Sequence, residues 1–241
     1  MSDIVLSDAV VVRGGRRVVD GIDLTISAGT WFGVIGANGS GKTSLLRALA
    51  GRLAFAGGAC LIDGRDLVAD RAARARGLGF ALPADRLPDR LRGYEVLDFA
   101  RGAAPIDESR LAALWSALGI ADLRNRWVGD CSAGMRQRLA IAAAFVGGHR
   151  CIVLDEPFNW LDPVAGYDLR QVLRSMVEDG WTLVTALHDL TMLAGSCDAG
   201  VMLADGRVAA TLDGDRLREA AIDPRAFEKT MIDRLRGVRQ R

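Results

Sequence analysis

The feature that most constrains this chain is a glycine-rich segment at residues 36–43, with the sequence Gly-Ala-Asn-Gly-Ser-Gly-Lys-Thr. An apolar run at residues 31–36 precedes it, and leucines at positions 45, 46 and 49 give one apolar face of a following helix. The spacing Gly-x4-Gly-Lys-Thr predicts a loop whose backbone N–H groups converge at a helix N-terminus and hold phosphate oxygens. The alternative, a chance glycine-rich turn, leaves the flanking strand and helix unexplained.

The residues of this loop have distinct expected roles. Lys42 would reach the β- and γ-phosphates of a nucleotide, and the Thr43 hydroxyl would ligate Mg²⁺. The other candidate nucleotide-binding residues of the segment are Gly36, Asn38, Gly39, Ser40, Gly41 and Ser44.

The overall charge balance does not favour nucleic acid or anionic lipid as a partner, although a local basic patch stays open as an alternative. The 241 residues carry 31 basic and 30 acidic side chains, a net charge of +1. Such a chain has no overall electrostatic attraction for nucleic acid or for anionic lipid. Its length suffices for one large domain with a substantial core.

The expected compartment is the cytosol. The cysteines, Cys60, Cys131, Cys151 and Cys197, are scattered without metal-ligand spacing, which indicates reduced and mostly buried thiols. The N-terminal residues show no secretory signal. The longest apolar run, residues 139–146, is far shorter than the roughly 20 residues of a membrane span. We expect the chain to reach a membrane only through a partner.

The pattern along the chain predicts an α/β domain. Besides residues 31–36, the predicted strands are 5–6, 9–12, 24–26, 60–62, 78–81, 151–154, 183–186, 200–203 and 208–212, and a turn at Asp205 and Gly206 is predicted to join the last two. Residues 95–100, 111–118 and 136–145 carry helical periodicity with no strand between them. We therefore predict a core of residues 1–83 and 147–212, an inserted helical subdomain of residues 84–146 and a helical tail of residues 213–241.

Two basic clusters are predicted to be exposed to solvent, and one of them has a functional alternative. The tail ends with Arg234, Arg236, Arg239 and Arg241, which suit a helix C-terminus in solvent or, alternatively, a lipid or protein contact. The cluster Arg71, Arg74 and Arg76 is predicted to lie on a solvated helix or loop face.

A second motif supplies the carboxylates that a phosphate loop requires. The apolar run 151–154 ends at Asp155 and Glu156. Asp155 is the candidate magnesium partner, and Glu156 is the candidate base that orients the attacking water. A strand that simply ends in two acidic residues is the alternative.

With these motifs the chain resembles the ABC ATPase family over residues 4–212. Residues 131–138, Cys-Ser-Ala-Gly-Met-Arg-Gln-Arg, resemble the family signature LSGGQ and its basic, Gln-rich extension. The resemblance implies a P-loop NTPase fold of ABC type, with a mixed RecA-like core sheet, an N-terminal antiparallel β region and an inserted helical subdomain. It also implies that Ser132 and Gly134 meet the γ-phosphate of ATP held by the opposite subunit. A plain helix cap at Ser132 is the alternative.

Further segments match the family in the expected order. Residues 159–162 resemble the D-loop, with Asp162 at the position that communicates across a dimer. His188 resembles the switch histidine that contacts the γ-phosphate, whereas His149 is predicted to be a surface residue. Arg13 aligns with the aromatic residue that stacks on adenine in many relatives, and a guanidinium can also stack on a base.

Other positions depart from the family pattern. The glutamine expected at the junction of core and helical subdomain is replaced by Pro83, or by Ala84 with a slip of one residue, and Asp85 is the nearest side chain that could reach metal. The D-loop carries the bulky Trp160, and the signature has Cys131, Ala133 and Met135 in place of Leu, Gly and Gln. Residues 134–138 resemble cassettes that serve separately encoded, exporter-type permeases.

The resemblance implies an ATPase that uses ATP and Mg²⁺ and dimerises head to tail with a second cassette, identical or different. It further implies a separate transmembrane permease, a location on the inner face of the cell membrane and no nucleic-acid partner. The alternatives are a soluble ABC ATPase similar to the one that serves iron–sulfur assembly, and a regulatory module that holds ATP without hydrolysing it.

Overall fold

The computed structural model describes residues 3–227 and 229–231 and contains two β-sheets. The first sheet is antiparallel, in the order β2-β1-β4-β5, with β1 (Ile4–Arg13), β2 (Arg16–Ile26), β4 (Gly57–Ile62) and β5 (Arg65–Asp66). The predicted strands 5–6 and 9–12 are parts of β1. The pairing register of β1 shifts between Leu6 and Ala9, where Asp8 has a φ of 47°, because a bulge inserts the polar residues between them.

The second sheet contains six strands in the order β10-β9-β3-β8-β7-β6. They are β3 (Trp31–Gly36), β6 (Gly79–Phe80), β7 (Cys151–Asp155), β8 (Thr182–Leu187), β9 (Ala199–Ala204) and β10 (Arg207–Leu212). All neighbours are parallel except β10, which returns antiparallel to β9 around the predicted turn at Asp205 and Gly206. The predicted α/β class, with an N-terminal antiparallel sheet and a mixed core sheet, is confirmed.

The helices cover both faces of the core sheet. They are α1 (Lys42–Leu49), α2 (Arg71–Gly77), α3 (Gly93–Arg101), α4 (Glu108–Leu118), α5 (Ile120–Leu123), α6 (Ala133–Phe145), α7 (Pro163–Glu178), α8 (Leu190–Ser196) and α9 (Gly214–Ile222). Short 3₁₀ turns occur at Ala84–Arg86 and Val128–Asp130. None of the helices within the described ranges combines the length and the apolar character of a membrane span.

Helix α1 lies between the two sheets, in a layer of apolar side chains. Leu45, Leu46 and Leu49 are fully buried there against both sheets. A second apolar cluster packs α6 and α7 on the opposite face of the core sheet. The phosphate-loop helix is therefore fixed on all sides by burial, and its N-terminus opens at the sheet edge.

The region 84–145 contains helices and turns, with only an isolated pairing of Arg92 and Trp127 among its described residues. The helices agree with the predicted periodicity, but the subdomain boundaries stay a prediction. The predicted helical tail begins with α9, which ends before Asp223, and residues 224–227 and 229–231 are again helical. Its arginines Arg234, Arg236, Arg239 and Arg241 lie outside the described residues.

All four cysteines are buried and free, as the sequence predicts. Burial raises the pKa of the Cys60 thiol to about 11 and that of the Cys151 thiol to about 12. These thiols are therefore protonated and unreactive at neutral pH.

The prediction that Arg74 lies on a solvated face is wrong. Its side chain is fully buried, and its guanidinium donates to the carbonyls of Leu67, Ala48 (2.9 Å), Val68 (2.7 Å) and Leu53 (3.2 Å). It also stacks on Phe55, at 4.9 Å from the ring centroid. Burial lowers the pKa of the guanidinium, but its hydrogen bonds replace the lost water.

Arg74→Met keeps most of the side-chain volume but removes the guanidinium donors to these four carbonyls. Among the described residues, only those of Leu67 and Ala48 keep a backbone N–H donor, from Asp70 and Gly51. We expect the free energy of unfolding to fall by about 2–4 kcal/mol, because buried acceptors lose their partners. Urea denaturation measures this change. Arg76→Met, at an exposed position of the same helix, is the control and should stay within about 0.5 kcal/mol of the unchanged protein. Equal stability of the two variants would contradict the role assigned to Arg74.

Candidate nucleotide site

The candidate site forms at the carboxyl edge of the core sheet, where three neighbouring parallel strands end. β3 leads into the glycine-rich loop, β7 ends at Asp155, and β8 ends one residue before His188. Ile35 lies opposite Leu187, and Asp155 lies opposite Ala186. The carboxyl edge of parallel strands is where open α/β sheets bind ligands.

Two glycines of the loop are required by close approach of the backbone. At Gly36 a Cβ atom would lie 2.5 Å from the Leu203 carbonyl oxygen and 2.5 Å from Ser40 Oγ. At Gly41, which has a φ of 105°, a Cβ atom would lie 2.4 Å from the Val18 carbonyl oxygen. Asn38 and Gly39 are exposed at the tip, whereas Ser44 is buried in α1.

The Lys42 side chain folds back over the loop. Its Nζ donates to the Gly36 carbonyl at 2.8 Å and to the Ala37 carbonyl at 3.4 Å, and it lies 3.7 Å from Glu156 Oε1. The side chain is only 5% exposed. Its positive charge is thus held against the concave loop, where anionic oxygens would be bound.

Thr43 and Asp155 bring two oxygen ligands together. Thr43 Oγ1 donates to Asp155 Oδ1 at 3.1 Å. Burial, together with the nearby Glu156, raises the pKa of the Asp155 carboxyl above its ordinary value, although the Thr43 hydrogen bond, Arg47 and Lys42 oppose this. The nearby cations therefore do not fully offset the burial of the Asp155 carboxylate, and a divalent cation would supply the further positive charge.

Oxygen donors of this kind fit Mg²⁺, which is usually held by one or two protein ligands together with waters and substrate phosphates. Within the described ranges no group of three or more His, Cys, Asp or Glu residues could hold a metal. Ser40 Oγ is buried and has no hydrogen-bond partner among the described residues, so the loop also has a free polar atom.

Glu156 directs its carboxylate toward the loop from an uncommon backbone conformation. Its φ is 51°, and its N–H donates to the Ala186 carbonyl at 3.2 Å. Asn159 Nδ2 donates to Glu156 Oε2 at 2.7 Å, while Oε1 faces Lys42. The carboxylate is 29% exposed, so it is fixed by two partners and still accessible to water.

The signature segment lies on a different element and does not touch the loop. Ser132 caps α6, where its Oγ accepts a hydrogen bond from the Met135 N–H at 3.3 Å. Ser132 is exposed and Gly134 is half-buried. Among the described residues neither forms a hydrogen bond with residues 36–44. The predicted cap exists, and the helix N-terminus next to it faces outward.

The comparisons with known proteins agree. Residues 19–159 match the ABC transporter family. The chain is 29% identical over 211 residues, 87% of its length and 68% of the relative, to the uncharacterized ABC transporter ATP-binding protein YhcH of Bacillus subtilis. It is 36% identical over 210 residues, 82% of its length and 81% of the relative, to the hemin import ATP-binding protein HmuV of Pseudomonas fluorescens.

The chain belongs to the ABC transporter family, as an ATP-binding cassette and ABC ATPase. A solved structure of an ATP-binding subunit of an ABC transporter superposes with a TM-score of 0.80 at 25% identity, covering 94% of this chain and 99% of that one. The lantibiotic transport ATP-binding protein SrtF of Streptococcus pyogenes is 26% identical over 195 residues, 81% of this chain and 84% of the relative.

The remaining predicted site residues form no hydrogen bond with residues 36–44 in the part of the chain that the structure describes. Asp162 caps α7 through the N–H groups of Val164 and Ala165, which hold the pKa of its carboxyl below the usual range. His188 is exposed and lines a cavity of about 360 Å³ that also includes Phe227. Arg13 is exposed at the end of β1.

The segment that lacks the glutamine follows β6. Pro83 and Ala84 are half-buried, and Asp85 is exposed and pairs with Arg86 at 3.7 Å. In the described part of the chain Asp85 forms no hydrogen bond with Thr43, Asp155 or Glu156. His149, which is predicted to be a surface residue, is half-buried and lines an open groove, and burial lowers the pKa of its imidazole.

Two contacts of the site were not predicted from the sequence. Asn159 holds the Glu156 carboxylate, and Gln137 donates from α6 to the carbonyls of Glu156 and Pro157. Both residues lie inside recognised motifs, but neither motif says which side chain reaches Glu156. A polar residue on the buried face of the apolar helix α6 is the signal that marks Gln137.

Asp155→Asn is expected to raise the melting temperature at pH 7 without Mg²⁺. The unfolded chain releases the Asp155 proton near pH 3.9, about its ordinary pKa, whereas the folded protein releases it at higher pH. Stability therefore falls as the pH rises through this interval and stays lower above it, a loss that Asn avoids.

Thermal unfolding between pH 5 and 8 measures the effect, which should shrink as the pH falls toward about 4. Asp168→Asn, at an exposed position of α7, serves as the control and should leave the melting temperature unchanged. An Asp155→Asn protein that melts at or below the unchanged protein at pH 7 would refute the unfavourable burial of this carboxylate.

Proposed function

We propose that this cassette hydrolyses Mg-ATP in a site that a second cassette completes, and that it drives a separate permease. One observation carries the proposal: Lys42, Thr43, Asp155 and Glu156 converge at one sheet edge through the Thr43–Asp155 bond of 3.1 Å and the Lys42–Glu156 approach of 3.7 Å. A cation for phosphate, two oxygen donors for metal and an accessible carboxylate are the groups that phosphoryl transfer to water requires.

The chemistry follows from these positions. Loop N–H groups and the Lys42 ammonium bind the β- and γ-phosphates, and Gly36 and Gly41 allow the close protein contacts that shape the loop. Thr43 and Asp155 hold Mg²⁺, which supplies neutralisation of phosphate charge when bound. Glu156 accepts the proton of the attacking water, and Asn159 and Lys42 fix the position of its carboxylate. His188, at the end of the adjacent strand, is assigned to the γ-phosphate, and Arg13 to the adenine.

The need for a second cassette is supported by the separation of the signature from the loop. Ser132 and Gly134 form no hydrogen bond with residues 36–44 in the described part of the chain, and the helix they open faces outward. In a head-to-tail pair they would contribute to the partner's site, across which Asp162 is assigned to communicate. A dimeric bacterial ABC transporter cassette superposes with a TM-score of 0.75 at 25% identity, over 88% of this chain and 98% of that one.

The permease is supported by an open apolar groove of about 420 Å³ beside β6 and α3. Leu82, Leu91 and Phe99 line it, and Arg52 and Arg86 flank them. Phe99 is 82% exposed, an unusual position for a large apolar side chain unless another protein covers it. No acidic residue lines the groove within the described ranges. The expected occupant is an amphipathic, acidic segment of the permease.

Different observations bear on the two alternative functions that the sequence leaves open. Relatives named for transport favour a transport role over soluble iron–sulfur assembly, and the Glu156 geometry favours hydrolysis over a module that only holds ATP. Because these relatives include a hemin import protein and a lantibiotic transport protein, the exporter-type prediction from residues 134–138 stays a prediction.

Glu156→Gln should retain ATP binding but reduce phosphate release by about 100-fold or more, because the amide cannot accept the proton of water. Lys42→Ala should instead weaken ATP binding by about tenfold or more. Steady-state phosphate release and equilibrium binding of ATP measure both. Glu219→Gln, an exposed position on α9, is the matched control and should behave as the unchanged protein. Normal turnover in Glu156→Gln would show that Glu156 is not the base.

Phe99→Ser should reduce recovery of the permease with the cassette by about fivefold or more, because it removes an apolar anchor from the groove. The measurement is purification of a tagged cassette from detergent-solubilised membranes, with mass spectrometry of the co-purifying chain. Ile222→Ser, 85% exposed and outside the groove, is the control. A soluble scaffold recovered in place of a membrane protein would favour the iron–sulfur alternative.

A further inference from the structure

Helix α6 contacts the segment 156–162 at three positions that lie on one face of the helix. At Gly134 a Cβ atom would lie 2.6 Å from the Trp160 carbonyl oxygen, so the two backbones are in close contact. One turn later Gln137 reaches the carbonyls of Glu156 and Pro157, and Arg138 pairs with Asp162 at 3.2 Å. Positions three and four residues apart share a helix face, which makes this a continuous contact.

Gln137 is the buried centre of this contact. Its side chain is 8% exposed, and its Nε2 donates to the Glu156 carbonyl at 3.4 Å and to the Pro157 carbonyl at 3.2 Å. The rest of this helix face is largely apolar, so a buried amide requires these two acceptors. The Glu156 carbonyl also accepts from the Asn159 N–H at 3.2 Å, whereas within the described residues the Pro157 carbonyl accepts only from the amide.

The residue that Gln137 holds is one whose conformation needs support. Glu156 adopts a φ of 51°, which L side chains rarely adopt and which persists only when neighbours fix it. Its N–H is fixed by Ala186 on the core sheet, and its carbonyl is fixed by Gln137 on α6. The carboxylate then meets Asn159 and Lys42. The peptide units on both sides of Glu156 are therefore held by two separate elements.

We infer that Gln137 is a positioning residue for Glu156, and that through it the signature helix controls the geometry of the catalytic carboxylate in its own subunit. The inference rests on the proposed function, which gives Glu156 its role as base and Ser132 and Gly134 a phosphate of the partner's site. Binding of a phosphate in the partner's site acts on α6 through Ser132 and Gly134, and α6 acts on Glu156 through Gln137. The two sites of a pair are thus linked within each chain.

Gln137→Met tests this, because methionine has the same length and no donor. The expected result is a fall in the kcat for phosphate release of about tenfold or more, with ATP affinity within about twofold of the unchanged protein. Gln171→Met, the same substitution at an exposed position of α7, is the control. If Gln137→Met does not fold, Gln137→Asn is used, since its shorter side chain keeps the amide but cannot reach the carbonyls.

Hydrogen exchange of the backbone amides separates a local effect from a general loss of stability. Exchange should become faster at the amides of Glu156, Phe158 and Asn159 and stay unchanged in β3 and β9. This measurement does not require turnover, so it tests the contact even if the unchanged protein fails to hydrolyse ATP. A kcat within about twofold of the unchanged protein, or unaltered exchange at these three amides, would overturn the inference.

Discussion

The hydrogen bond between Thr43 and Asp155 is the interaction on which the site depends. It joins the first turn of α1 to the end of β7, two elements separated by more than a hundred residues in sequence. Asp155 is half-buried, and partial burial together with the nearby Glu156 raises the pKa of its carboxyl, so the surroundings disfavour its charge. A carboxylate kept in such a place stores unfavourable electrostatic energy that a bound cation would relieve.

This local strain is tolerated because α1 has little freedom to move. Leu45, Leu46 and Leu49 are buried between the two sheets, so the helix axis is fixed by packing and does not depend on the polar contacts at its N-terminus. The parallel pairing of β3, β8 and β7 then places the loop, His188 and Asp155 at one edge. Apolar packing provides the position, and polar residues provide the chemistry.

The sequence predicted those parts whose cause is local. The apolar strands 31–36 and 151–154, the loop between β3 and α1, and the turn at Asp205 and Gly206 all follow from short patterns of residue type. The burial of Arg74 could not be predicted in this way, because its four acceptors come from other segments that only the fold brings together. The same holds for Gln137, whose acceptors follow β7. Long-range acceptors leave no periodic signal in the sequence.

The signature helix shows why such contacts matter for the family resemblance. The motif match attributes Ser132 and Gly134 to a ligand outside the chain. In the structure, the same helix also contacts the segment 156–162 of its own chain. The Ser132 cap opens outward, while Gly134, Gln137 and Arg138 face the segment 156–162. A helix that is rigid along its length cannot adjust one of these faces without moving the other. The glycine at position 134 is therefore required twice, once by the expected phosphate and once by the Trp160 backbone.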